Sequence, residues 1–200
     1  IGIINCHAGK LPFYRGRNIL NWVLINDEKE FGITVHFVDE GIDTGDIILQ
    51  RTFPITDLDS YKTLLNTSYS ACANILYESL VQITENNFER IIQKTIHPVG
   101  FYCGMRSHGD EVINWNNNSR NLFNFIRSIS KPGPIARTNN GINEITINKS
   151  TFIKDAPLYI GSVGQVLSKT ENGFLVKTKD SFIEISEIEG KLKVGDKLGK

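Results

Sequence analysis

The sequence predicts an α/β layer followed by a smaller β-rich module, and three observations predict it. Apolar runs of strand length alternate with helical stripes through the first hundred residues. A Pro- and Gly-punctuated break falls at His97-Pro98-Val99-Gly100. Beyond Lys131-Pro132-Gly133-Pro134 the pattern becomes short alternating strands separated by tight-turn dipeptides.

The elements follow in order. Residues 1–5 form a short apolar run that ends in the loop Cys6–Gly16. Residues 18–27 place Ile19, Trp22, Val23 and Ile25 at helical spacing. Phe31–Val38 alternates Ile33, Val35 and Phe37 with Thr34, His36 and Val38, and Asp46–Phe53 is a further strand after the turn chemistry of residues 39–45. Thr56-Asp57-Leu58-Asp59 resembles a capping box with an acid in place of Glu. It is expected to open a long helix striped by Leu58, Tyr61, Leu65, Cys72, Ile75, Leu76, Leu80 and Ile83. Strands joined by helices imply some parallel pairing. In the second half, Ser119–Ser130 carries a stripe of Leu122, Phe123, Phe125, Ile126 and Ile129. Asn140-Gly141 and Asn172-Gly173 are hairpin signals for a β-rich module, with a barrel as one form.

Composition narrows the function. Of 200 residues, 40% are hydrophobic and 22% charged, which fits a globular protein, and no run approaches the roughly 18 apolar residues a membrane span needs. Twenty-two basic side chains balance twenty-two acidic ones, so no global basic field advertises nucleic acid. The balance is local: residues 1–100 carry 8 basic and 12 acidic groups, net −4, and residues 101–200 carry 14 and 10, net +4. Three dispersed cysteines, Cys6, Cys72 and Cys103, argue against a disulfide framework and for a reducing, cytoplasmic setting. The opening Ile1-Gly2-Ile3-Ile4-Asn5, without Met, reads as a strand entered partway along a longer protein.

Chemistry concentrates in one stretch. Asn5 and His7 alternate beyond an apolar strand, so both project from one face of its end, where open α/β sheets bind ligands. Asp43 lies in a loop between two further strands and can return to that edge. An amide that donates to an oxyanion, an imidazole that shuttles a proton and a carboxylate that orients the imidazole suit acyl transfer. No Ser or Cys sits in a nucleophile elbow, so direct transfer to an amine fits better than an acyl-enzyme. The bland alternatives are a satisfied strand-end histidine, a turn aspartate and a loop-capping asparagine. A thiol nucleophile or metal at Cys6-His7 lacks zinc spacing, and no metal is expected.

The same residues carry a resemblance. Asn-x-His-x-x-x-Leu-Pro-x-Tyr-Arg-Gly (Asn5–Gly16), Gly-x-Thr-x-His (Gly32–His36) and Asp-x-Gly-x-Ile (Asp43–Ile47) resemble the 10-formyltetrahydrofolate-dependent formyltransferases. That family includes glycinamide ribonucleotide transformylase, methionyl-tRNA formyltransferase and the amino-sugar N-formyltransferases. Asp110–Trp115 and Ile129–Pro134 resemble its entry to a β-rich C-terminal part, with Asn114 where Asp is usual. The resemblance implies the C-terminal half of a Rossmann-like formyltransferase domain at residues 1–100, with the domain's first half absent. An OB-like β-rich domain follows at 101–200. It implies Asn5, His7 and Asp43 as the catalytic set, and formyl-folate contacts from Arg17 and from Asp39, Glu40, Gly41, Ile42 and Asp43.

The implied reaction needs 10-formyltetrahydrofolate as co-substrate and no metal. A neutral amine attacks the formyl carbon, Asn5 and protonated His7 stabilise the oxyanion, and Asp43 keeps His7 charged. Among acceptors, Arg15–Trp22 and His36 look more like the enzymes of nucleotide-linked amino sugars, and the net +4 of the second half is modest for tRNA. Arg106, Arg120, Arg127 and Lys131 are expected either to hold a diphosphate or to form a solvated face. The tRNA enzyme is the alternative, and a truncated non-catalytic remnant that binds a nucleotide or partner is the alternative of another class. A homodimer is compatible with all three. The Gly-bracketed loop Gly9–Gly16 is expected to move more than the sheet.

Overall fold

A computed structural model describes residues 2–199. The chain divides into two compact units, Ile1–Thr56 with Thr63–Arg106, and Asp57–Lys62 with Ser107–Lys200. Among the described residues, no helix is long and apolar enough to cross a membrane.

In the first unit the order is β1 (Ile4–His7), β2 (Arg15–Gly16), α1 (Ile19–Ile25), β3 (Glu30–Phe37), β4 (Ile47–Pro54), α2 (Tyr61–Thr84), α3 (Gln93–Ile96) and β5 (Tyr102–Cys103). Strand β3 is buried on both faces: Phe31, Ile33 and Val35 point one way, and Thr34 and His36 the other. It is the middle strand of a sheet ordered β1-β3-β4. Both pairings are antiparallel, with a bulge at Val35/His36 against β4. Among the described residues of this unit, parallel pairing is the two-residue ladder of β2 with β5, because the chain doubles back between β3 and β4 through the loop of residues 38–46.

Helix α1 forms where the stripe predicts it and buries Ile19, Leu20, Val23 and Leu24. Helix α2 differs. Its buried seam is Leu64, Ser68, Ala71, Ile75 and Ser79, whereas Leu80 is exposed and Leu58 precedes the helix, 92% exposed. Small side chains at i, i+4, i+7 face inward, and the larger apolar groups on the neighbouring row misdirect a reading based on hydrophobicity alone.

The second unit holds α4 (Ser119–Ser128), β6 (Ala136–Asn139), β7 (Glu144–Thr151), β8 (Val166–Lys169), β9 (Gly173–Lys177) and β10 (Phe182–Glu189). The five strands form one sheet ordered β6-β7-β10-β9-β8, with antiparallel neighbours throughout. Asn118 caps α4 by accepting from the Asn121 amide at 2.8 Å. The amphipathic helix lays Leu122, Ile126 and the adjoining Ile129 onto a core of Ile145, Ile147, Val176, Ile183 and Ile185. Each such fully buried side chain is worth about 1.5–3 kcal/mol of transfer free energy. Both expected hairpin turns, at Asn140-Gly141 and Asn172-Gly173, join neighbouring strands.

Candidate active site

Strand register assembles the site. Asn5 pairs with His36 and His7 with Thr34 across β1 and β3, so all four side chains share one face, while Cys6 points to the other. Nδ2 of Asn5 lies 3.4 Å from Nε2 of His36. The β3–β4 loop returns Asp43 to this face: Oδ1 lies 3.5 Å from both Asn5 Nδ2 and His36 Nε2, and Oδ2 lies 3.6 Å from Nδ1 of His7. The structure thus brings together Asn5, His7 and Asp43, the three residues expected to carry the chemistry. His7 and Asp43 are nearly buried, and Asn5 is open to solvent.

Both imidazoles are anchored the same way. Nε2 of His7 meets the Tyr14 carbonyl at 2.7 Å, and Nδ1 of His36 meets the Phe37 carbonyl at 2.7 Å. A carbonyl only accepts, so each of these nitrogens carries a hydrogen, and the other ring nitrogen is turned to Asp43. Asp43 is therefore bracketed by two imidazoles, a role for His36 that its place in the Gly-x-Thr-x-His stretch hints at but does not specify.

Burial would raise the Asp43 carboxyl, but the His36 hydrogen bond, the Gly16 amide at 2.8 Å and the two nearby imidazoles outweigh it and hold the group at about 2. The carboxylate is charged at any physiological pH. His7 behaves differently. Its burial is the largest influence and pushes its pKa below the ordinary 6.5, against the Tyr14 bond and the Asp43 charge, which raise it. At neutral pH the resting ring is neutral, which corrects the expectation of a standing imidazolium: desolvation outweighs a carboxylate that sits 3.6 Å away rather than in hydrogen-bond contact.

The backbone is shaped around this cluster. Tyr14 (φ 55°) and Asp43 (φ 54°), which flank His7, both adopt the left-handed conformation. Gly16 (φ 95°) presents its amide to Asp43. A Cβ at Gly9 would lie 2.3 Å from His7 Nε2 and 2.4 Å from the Tyr14 oxygen, so only glycine lets the loop pass.

Gln93, buried in α3, ties two loops together. Its Nε2 donates to the carbonyls of Asp43 and Gly45, each at 2.8 Å, and its Oε1 accepts from Nε and Nη2 of Arg15 at 3.1 and 2.5 Å. The Gly9–Gly16 loop is held at several points. Leu11 and Tyr14 are buried, Thr34 and Gln50 hydrogen-bond the Gly9 and Leu11 carbonyls, and Lys10 pairs with Glu30.

Of the residues expected to contact formyl-folate, Asp43 belongs to this network and the others are placed apart from it. Glu40, Gly41 and Ile42 are exposed on the loop that Asp43 closes, and Asp39 caps that loop through Gly41 N and Thr44 Oγ1. The exposed Arg17 lies with Nη1 3.5 Å from the Met105 sulfur. Among the described residues, no hydrogen bond or ion pair joins Arg17 to Asp39–Ile42.

Two of the cations expected to hold a diphosphate have internal duties. Arg120 pairs with Asp57 at 2.7 Å, and the buried Arg127 bonds Asn124 Oδ1 and the Asp59 carbonyl. Lys131 faces Glu189, and Arg106 lies over the Trp22 ring. Among the described residues, no group of three or more His, Cys, Asp or Glu side chains is arranged to hold a metal ion.

An antiparallel strand pair that presents an amide and two imidazoles to one carboxylate is equipped for proton transfer and oxyanion stabilisation. The formyl transferase model matches residues 1–80, and the formyl transferase C-terminal domain model matches residues 106–195. The chain belongs to the formyl transferase family.

Among its relatives, methionyl-tRNA formyltransferase from Pelotomaculum thermopropionicum is 35% identical over 188 residues, covering 94% of this chain and 58% of that one. The solved structure of WlaRD, a sugar 3N-formyl transferase with dTDP and 5-N-formyl-THF present, matches with a TM-score of 0.73 and 30% identity, over 95% of this chain and 66% of that one. The Helicobacter canadensis N-formyltransferase, in complex with folinic acid and dTDP-3-aminofucose, matches with a TM-score of 0.68 and 29% identity, over 94% and 66%. The chain spans less than two thirds of each of these three proteins.

Proposed function

We propose that the protein transfers a formyl group from 10-formyltetrahydrofolate to the amine of a nucleotide-linked amino sugar. The observation that carries the reading is the placement of Asp43 between His7 and His36 with Asn5 exposed beside them. Asn5 donates to the oxyanion that forms when the amine attacks the formyl carbon, and one such donor lowers a barrier by about 2.7–4 kcal/mol. His7, neutral at rest, accepts the proton the amine gives up. That proton comes to rest on Nδ1, where Asp43 compensates the new charge while Nε2 stays on the Tyr14 carbonyl. Collapse of the intermediate returns a proton to the folate nitrogen and leaves a formamide. The exposed loop Asp39–Ile42 and Arg17 serve as the folate contacts in this reading, and no metal takes part. Residues 1–100 supply the catalytic part and residues 101–200 the β-rich domain, in a cytoplasmic protein.

The sugar-nucleotide acceptor is supported by the likeness to two sugar formyltransferases at 30% and 29% identity. The tRNA reading is favoured by the 35% identity to a methionyl-tRNA formyltransferase. One experiment separates them. The full protein is incubated with 10-formyltetrahydrofolate and a chelator, with charged initiator tRNA in one tube and amino-sugar nucleotides in another. Formylation of the sugar is expected. Formylation of tRNA alone reverses the assignment, and formylation of neither favours a non-catalytic remnant.

A further inference from the structure

A cavity of about 760 Å³ opens in the second unit, and every residue that lines it belongs to that unit. The volume is that of a small-molecule site. Its deepest lining is Phe123, Arg127, Ser130 and Ser150, all more than nine-tenths buried. Ser150 pairs with Ile185 across β7 and β10, so its side chain shares the inward face of a core residue. There its Oγ has no hydrogen-bond partner among the described residues. Buried hydroxyls are paired as a rule, and this one borders space that a ligand can fill. Ser130 Oγ donates to the Arg127 carbonyl at 3.1 Å and keeps its lone pairs to accept.

The charges around the cavity nearly balance. Four cationic and three anionic side chains line it. Asp57 is held by Arg120 at 2.7 Å, Lys131 faces Glu189 at 3.4 Å, and Glu187 accepts from the Asn148 amide. The Arg127 guanidinium lies 4.8 Å from the centre of the Phe123 ring, and the Phe152 ring stands 6.1 Å from that of Phe123. So balanced a lining selects against an ion. Ammonium, carboxylate, amide and hydroxyl groups stand side by side instead. The uncharged group that meets all four is another hydroxyl, because it donates and accepts at once. The C–H face of a sugar ring matches the apolar surface of the two phenyl rings.

We propose that this cavity binds an uncharged polyhydroxylated ligand, a sugar unit, with Ser150 Oγ as the hydrogen-bond partner of one of its hydroxyls. The site stands apart from the Asp43 cluster, which lies wholly in the first unit, and it does not rest on the formyl-transfer reading.

The test titrates the ¹⁵N-labelled full protein with the methyl glycosides of glucose, galactose, mannose and N-acetylglucosamine, and in parallel with glucose 6-phosphate and inorganic phosphate. Saturable amide shifts centred on Phe123, Ser130 and Ser150 are expected with at least one uncharged glycoside. Ser150→Ala should weaken that binding about tenfold, the worth of one hydrogen bond. Its sugar-free melting temperature should match wild type, because the hydroxyl it loses is unpaired. A structural Ser150 would lower that temperature and lose its assignment. No saturable shift with any of the four glycosides overturns the proposal, and so does tighter binding of either phosphate compound. Shifts confined to Asn5, His7 and Asp43 place the sugar at the catalytic cluster and overturn it equally.

Discussion

Nε2 of His7 donates to the backbone carbonyl of Tyr14 at 2.7 Å, so the nitrogen left to face Asp43 is Nδ1. The tautomer is set by a main-chain oxygen whose position depends on Gly9. A methyl at residue 9 would meet both ends of that bond. Gly9→Ala is expected to lower kcat/KM by roughly a hundredfold through displacement of the ring, with an unchanged far-UV circular dichroism spectrum. Full activity in a folded Gly9→Ala protein would contradict the anchoring role.

Asp43 raises the His7 pKa while burial lowers it. Asp43→Asn removes the raising charge and keeps the size and the left-handed backbone that Asn tolerates. The His7 ring should then titrate lower than in the wild type, because burial is left with one fewer opposing influence. An NMR titration that shows equal values would remove Asp43 from its proposed part.

Stability should fall toward acid in two windows. His7 has a folded pKa below 6.5, so the unfolded chain binds its proton first and stability declines as pH drops under that value. Asp43, held at about 2 against an ordinary 3.8, contributes fully above pH 4 and loses its contribution as pH falls from there to 2. That contribution is on the order of 2 kcal/mol. Urea midpoints measured from pH 8 to pH 2 should therefore converge for wild type and Asp43→Asn only at the acid end.

Gln93→Leu strands the Asp43 and Gly45 carbonyls and releases the Arg15 guanidinium. Each buried acceptor left without a donor costs about 1–3 kcal/mol. The variant should unfold earlier, and its residual folded fraction should show a lower kcat with little change in acceptor KM. A purely structural Gln93 would instead give folded protein with normal kcat.

How much was legible varies with the kind of information each residue carries. Asn5 and His7 share a face by simple strand alternation, and Asp43 lies in a loop whose two flanking strands are plain in the pattern. His36 sits in a visible strand, yet its partnership with Asp43 depends on the antiparallel register with β1 and on the bulge at Val35/His36, which no local signal encodes. Gln93 lies in a four-residue helix without periodicity. The Tyr14 contribution is a carbonyl, the same group every residue has. In α2 a seam of Ser68, Ala71 and Ser79 buries little hydrophobicity and so escapes a search for apolar stripes.

The Gln93 tie has a consequence for the order in which the protein acquires its activity. Strands β3 and β4 pair through a nine-residue loop, residues 38–46, but joining Arg15 to Gln93 spans 78 residues and Asp43 to Gln93 spans 50. Contacts that distant in the chain carry a larger loop-closure cost and form after local hairpins. A refolding molecule can thus own its sheet, and look native to circular dichroism, while the loop that bears Asp43 is still unlatched. Competence arrives with the last long-range closure and not with the secondary structure.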